Sequence, residues 1–125
     1  MNKKDRQIVF DKCNGKCAYC GCDLEKGWHV DHIVPLRRKE SDLNISRYNK
    51  VRGENCLENY LPACRQCNIW KSTYSIEHFR EEVASQLSKV NRYSANYRNA
   101  KRYGLVVEVE KEIVFYFERT GSSCT

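Results

Sequence analysis

Histidine, proline and methionine are scarce in this chain: three, two and one among 125 residues. Two prolines and six glycines are too few for a collagen-like, linker-like or low-complexity protein. Long apolar runs are missing, and none approaches the ~20 residues of a membrane-spanning helix. The opening "MNKKDRQIVF" has charges but no apolar stretch after them, so no secretory leader is expected. Acid is the scarcer charge, 16 residues against 22 basic ones, which leaves a formal net charge of +6. That balance suits a polyanionic partner. These absences predict a cytoplasmic protein with reduced thiols and no membrane association.

What the chain does have is cysteine, eight residues of it. In a reducing compartment that density points to metal ahead of disulfides. A hydrophobic fraction of 41% with 30% charge describes a globular chain, and the length fits one domain, 1–125. Domains of this size often need a staple.

The order of elements reads as α+β. Residues 5–13 suit a short helix. "GWHVDHIVP" reads as a strand ended by Pro35, "NYLPA" as a second strand and "CRQCNIWKS" as a compact helix. The stretch 36–56 reads mostly as loop. Ser75 looks like an N-cap. Beyond it Ile76, Phe79, Val83, Leu87, Val90 and Tyr97 recur at helical spacing. They predict one helix over 75–103, about seven turns long, ending near Gly104. "LVVEVEKEIVFYFE" has two β-rich runs with a polar break at Glu110 and Lys111, and predicts a hairpin over 105–118.

Cys17-Ala-Tyr-Cys20 and Cys64-Arg-Gln-Cys67 are two matched CxxC knuckles. Each places two thiolates on one side of an ion, and four satisfy tetrahedral Zn²⁺. A thioredoxin-like redox site would need one CxxC near a βαβ pattern, which is absent. Cys22, close to Cys20, is the nearest alternative ligand. Cys13, Cys22, Cys56 and Cys124 are read as thiols outside the metal site. A zinc with four thiolates has no open position, so it folds the chain and leaves any chemistry to other residues.

Between the knuckles, Asp31 and His32 interrupt an apolar strand. The ordered set "CAYCG … VDHIVPL … ENYLPACRQCNIWK" resembles the zinc-containing bacterial and phage type of HNH endonuclease over about residues 13–72. The resemblance implies a ββα-metal (His-Me finger) core stapled by a four-cysteine structural zinc, followed by an appended C-terminal helix and β-hairpin. It matches the family's first histidine to His32 and its asparagine to Asn59, which is implied to hydrogen-bond across the strands and hold the His32 loop. The last position, often histidine, is Asn68 here. The chemistry is sensible on its own terms. Histidine suits a general base near neutral pH. A carboxylate and an amide oxygen, from Asp31 and Asn68, are hard ligands for catalytic Mg²⁺ or Mn²⁺. His29 reads as a partly exposed strand residue, and His78 has no assigned role.

Lys89, Arg92, Arg98, Lys101 and Arg102 form a run without acid, interleaved with Tyr93, Tyr97 and Tyr103. With Lys71, and with "LRRKE" and "RYNKVR" in the loop between the strands, they are the expected DNA contacts. The expected function is metal-dependent hydrolysis of DNA phosphodiesters by a phage or prophage enzyme. The alternatives are a zinc-stabilised nucleic-acid-binding module without nuclease activity, or a restriction-type HNH nuclease. Whether the protein is a monomer or a weak dimer is not written in the sequence.

Overall fold

The computed structural model describes residues 1–119, so Cys124 lies outside the described residues. Helix α1 (Lys3–Lys12) begins where the Asn2 side chain accepts the Asp5 amide proton at 2.8 Å. It buries Val9 completely. From its last turn, Lys12 Nζ donates to the carbonyls of Leu57 and Tyr60. The first knuckle follows as a tight loop. It is closed by the Cys17 amide donating to the Cys22 carbonyl at 2.8 Å and turned by Gly21 at φ +79°.

The sheet has two short antiparallel strands, β1 (His29–His32) and β2 (Tyr60–Ala63). Their register places Asp31 opposite Leu61 and His32 opposite Tyr60. Every residue of β2 is buried. The loop between the strands is more ordered than its polar composition suggests. It contains a short helix, α2 (Asp42–Arg47), capped by Ser41. Arg52 ties the loop together by donating to the carbonyls of Arg37 and Glu40, both at 2.6 Å, and by pairing with Asp42.

Helix α3 (Arg65–Lys71) starts directly after β2, capped by the Cys64 sulfur, which accepts from the Cys67 amide at 3.4 Å. Two strands and a helix thus stand next to one another, α+β as expected.

The tail differs from expectation in two places. The single helix over 75–103 is three helices: α4 (Ile76–Ala84), α5 (Gln86–Tyr93) and α6 (Ala95–Arg102). Serine is the reason, because its hydroxyl competes with the helical backbone bonds. Ser85 Oγ donates to the Glu82 carbonyl at the first break. Ser94 leaves helical geometry at φ −116°, ψ 107°, and accepts from the Tyr97 amide as a new N-cap. Gly104, at φ +74°, ends α6 with the Leu105 amide bonded back to the Ala100 carbonyl.

The expected hairpin over 105–118 is also absent. Residues 105–115 form no strand, and 116–119 form a short helix, α7 (Tyr116–Arg119). Strand preference depends on context, and here other partners win. Glu108 accepts from Asn91 and Tyr97 and pairs with Lys101. Arg80 donates to the Ile113 carbonyl and pairs with Glu118. The amides of Tyr116 and Phe117 bond to the carbonyls of Tyr19 and Ala18. Phe115 then enters the core between Tyr19 and Phe79, edge to face with the first at 5.2 Å and stacked on the second at 5.3 Å. Among the described residues no helix is long and apolar enough to cross a membrane.

Candidate metal centre and active-site cleft

The turn after α1 and the start of α3 bring the knuckles together. The Sγ atoms of Cys17, Cys20, Cys64 and Cys67 all lie within 4.8 Å of one another, with Cys20 and Cys64 3.9 Å apart. A tetrahedron of Zn–S bonds near 2.3 Å has edges of about 3.8 Å, so the cage fits zinc. Hydrogen bonding from Cys67 holds the Cys17 thiol down, while the same contact and burial push the Cys67 thiol up. Cys22 is exposed and outside the foursome.

At the end of the sheet, Asp31, His32 and Asn68 line one cleft of about 640 Å³, together with Arg37, Arg38 and Lys39. The four cysteines are the only cluster of three or more His, Cys, Asp or Glu ligands among the described residues. The cleft's possible donors are the carboxylates of Asp31 and Glu40, the amide oxygen of Asn68 and the His32 ring, with no thiol, a set that fits Mg²⁺ or Mn²⁺ better than a thiophilic metal.

Asp31 is 5% exposed. Tyr19 donates its hydroxyl to Oδ2, and Lys71 Nζ sits 3.1 Å from the same oxygen. Both contacts fall on Oδ2, so they orient the carboxylate without using Oδ1. Burial pushes the Asp31 carboxyl up and the Lys71 ammonium down, and each partner opposes the other's shift. Lys71 is 0% exposed and also donates to the His32 carbonyl at 2.8 Å. It is therefore a clasp on the end of β1 and not the DNA contact expected of it. A signal for this was present in the sequence, since Lys71 follows the buried Cys67 by four positions and so shares its helix face.

His32 is half-buried, its ring packed edge-on against Tyr60 at 5.2 Å. Nε2 lies 2.8 Å from Asn55 Oδ1. Sequence reasoning misses Asn55, because an asparagine in a polar loop carries no pattern of its own. Asn59 sits behind the histidine. Its Oδ1 accepts the Val34 amide at 2.8 Å, and its Nδ2 donates to the carbonyls of Val34 and Glu54 at 3.0 and 2.9 Å. One amide thus ties the chain leaving β1 to the chain approaching β2. Gly53 is missed as well. A Cβ there would stand 1.7 Å from the Val34 carbonyl oxygen and 2.9 Å from Asn59 Nδ2, so only glycine lets the loop close this tightly. His29 is exposed and faces a neighbouring cleft of about 1050 Å³ that Asn68 also borders. His78 is in the tail, where it stacks on Tyr74.

Arg38, Lys39, Arg92, Arg98, Lys101 and Arg102 are all exposed. Some basic residues also have contacts within the fold. Arg98 donates to the carbonyls of Asn91 and Arg92, Lys101 pairs with Glu108, Lys89 pairs with Glu82, and Lys50 pairs with Glu40.

Residues 17–73 match the family model for HNH endonuclease. The chain is also similar to a Bacillus subtilis (strain 168) protein named "SPbeta prophage-derived putative HNH endonuclease YoqL", at 30% identity over 78 residues. That match covers 58% of this chain and 31% of the relative, so the chain spans about a third of the relative's length. No solved structure matches. The matched segment, a little under half of the chain, runs from the first knuckle through the cleft residues to just past the end of α3, and over it the chain is similar to HNH endonucleases.

Proposed function

We propose that the protein is a DNA endonuclease, phage- or prophage-derived, that hydrolyses phosphodiester bonds at the cleft beside His32. The reading rests above all on one observation: Asp31, His32 and Asn68 border a single cleft, apart from the cysteine cage. Zinc in that cage is structural. Asp31 and Asn68 hold a catalytic Mg²⁺ or Mn²⁺, which when bound offsets charge on the phosphate and the leaving oxygen. His32 takes the proton of the attacking water as general base. Asn59 holds the loop that carries His32. Arg38 and Lys39, exposed at the cleft rim, are placed to meet the phosphates of the bound strand.

The exposed Arg92 and Arg102 extend this contact along the tail. Replacing both with Gln is expected to weaken binding equally for all sequences. It should also lower the slope of log affinity against log salt by about 0.9 for each lost phosphate contact. An unchanged slope would mean that this face is merely solvated. The activity itself is tested by incubating supercoiled plasmid with purified protein and Mg²⁺, Mn²⁺ or Zn²⁺. Nicked or linear product is expected with Mg²⁺ or Mn²⁺. Intact plasmid under all three, with DNA binding retained, would favour a zinc-stapled binding module instead.

A further inference from the structure

We infer that Asn55 is a positioning residue that sets the tautomer of His32 and so decides which ring nitrogen acts as the base, an inference that rests on the nuclease reading above. A neutral imidazole has one N–H and one lone pair, and whichever nitrogen donates is unavailable to take a proton. Asn55 Oδ1 is a pure acceptor 2.8 Å from Nε2. With the carboxamide so oriented, the proton lies on Nε2 and the lone pair is left on Nδ1.

The surroundings hold this pair in place from several sides. The edge-on contact with Tyr60 fixes the ring plane. Lys71 fixes the His32 carbonyl, and the Ile33 amide donates to the Asn59 carbonyl at 2.9 Å. On the other side, Asn59 Nδ2 grips the Glu54 carbonyl, one residue before Asn55, and the Asn59 amide donates to the Cys56 carbonyl, one residue after it. Asn59 thus reaches both the backbone that carries His32 and the backbone that carries Asn55. The bond between the two side chains completes a closed frame. Its purpose is directional, since a ring free to take either tautomer would present the wrong nitrogen to water for part of the time.

The test reads the tautomer directly, without substrate. Long-range ¹H–¹⁵N spectra of zinc-loaded protein are recorded at mildly alkaline pH, with His29 and His78 as internal references. Wild-type His32 is expected as the Nε2–H form. Asn55→Leu, which keeps the side chain's size but removes the acceptor, should give mixed tautomers. Asn55→Asp, an acceptor again, should restore the Nε2–H form. Asn55 is exposed, and its neighbours are held through backbone groups, so these variants should fold. In the nicking assay Asn55→Leu should lower kcat roughly 10-fold at unchanged KM. Asn55→Asp should recover most of that loss. An Nδ1–H form in the wild type, or spectra that Asn55→Leu leaves unchanged, would overturn the inference. Since the spectra need no cleavage, an inactive protein with the expected tautomer would sink the nuclease reading and leave the assignment of the proton standing.

Discussion

Cys64→Ser is expected to leave the protein without zinc and unfolded, or aggregated, at neutral pH. Native mass spectrometry should count one zinc per wild-type chain and none in the variant, and circular dichroism should show the loss of folded structure. The size of the effect follows from how little else holds this region. The sheet has two strands of four residues each, and an isolated pair of that kind is marginal in water. Structural zinc commonly contributes about 10 kcal/mol or more to folding at neutral pH, which is comparable with the whole stability of a typical domain. Cys64 has a second task as the N-cap of α3, through its contact with the Cys67 amide. Serine is a good cap, so the variant isolates the lost thiolate from the lost cap. Cys22→Ser is the control, because Cys22 is exposed and outside the cage, and it should keep both zinc and fold. A folded, zinc-free Cys64→Ser protein would remove zinc from the account.

The centre of the molecule is more legible in the sequence than its tail, and the reasons are physical. Two CxxC spacings dictate where four sulfurs go, and the Asp31–His32 pair stands out because a buried strand has no use for it. The strands and α3 follow from these local patterns. The tail departs from expectation where a local pattern meets a stronger distant partner. The apolar stripe from Ile76 to Tyr97 is genuine, yet only Phe79 is fully buried by it, and two serine hydroxyls divide the helix. Val107 and Val109 look like strand residues but stand 84% and 69% exposed, because Glu108 between them is captured by α5 and α6. The charge of Lys71 suggests a surface role, when its position on the face of Cys67 is the better guide. Asn55 and Gly53 matter through what they touch far away in the chain, His32 and Val34, and such contacts leave no local trace.

His32→Ala should abolish measurable nicking while leaving zinc, fold and DNA binding in place. Loss of a general base typically costs roughly 10²–10⁴ in rate, equivalent to about 3–5 kcal/mol of barrier. The structural cost should be small by comparison. The backbone contact from Lys71 to the carbonyl at position 32 survives the substitution, and the side chain gives up only an exposed hydrogen bond and one ring edge on Tyr60. The cysteine cage does not include His32, so the zinc count should stay at one. Asp31→Ala is a less clean probe of the same site. It removes the proposed metal ligand, but it also leaves the Lys71 ammonium fully buried without its carboxylate, a situation that typically costs about 3–5 kcal/mol. It should therefore melt well below wild type, and its lost activity would not separate ligand from scaffold. Asp31→Ala paired with Lys71→Met removes the stranded charge, so it should regain stability, but it also removes the clasp on the His32 carbonyl and should not regain activity. Excess Mn²⁺ should restore some cleavage to the Asp31 variant but none to His32→Ala, whose defect lies in the proton and not in the ion. Wild-type nicking rates from His32→Ala would mean that cleavage works through other residues, and the cleft would lose its assigned base.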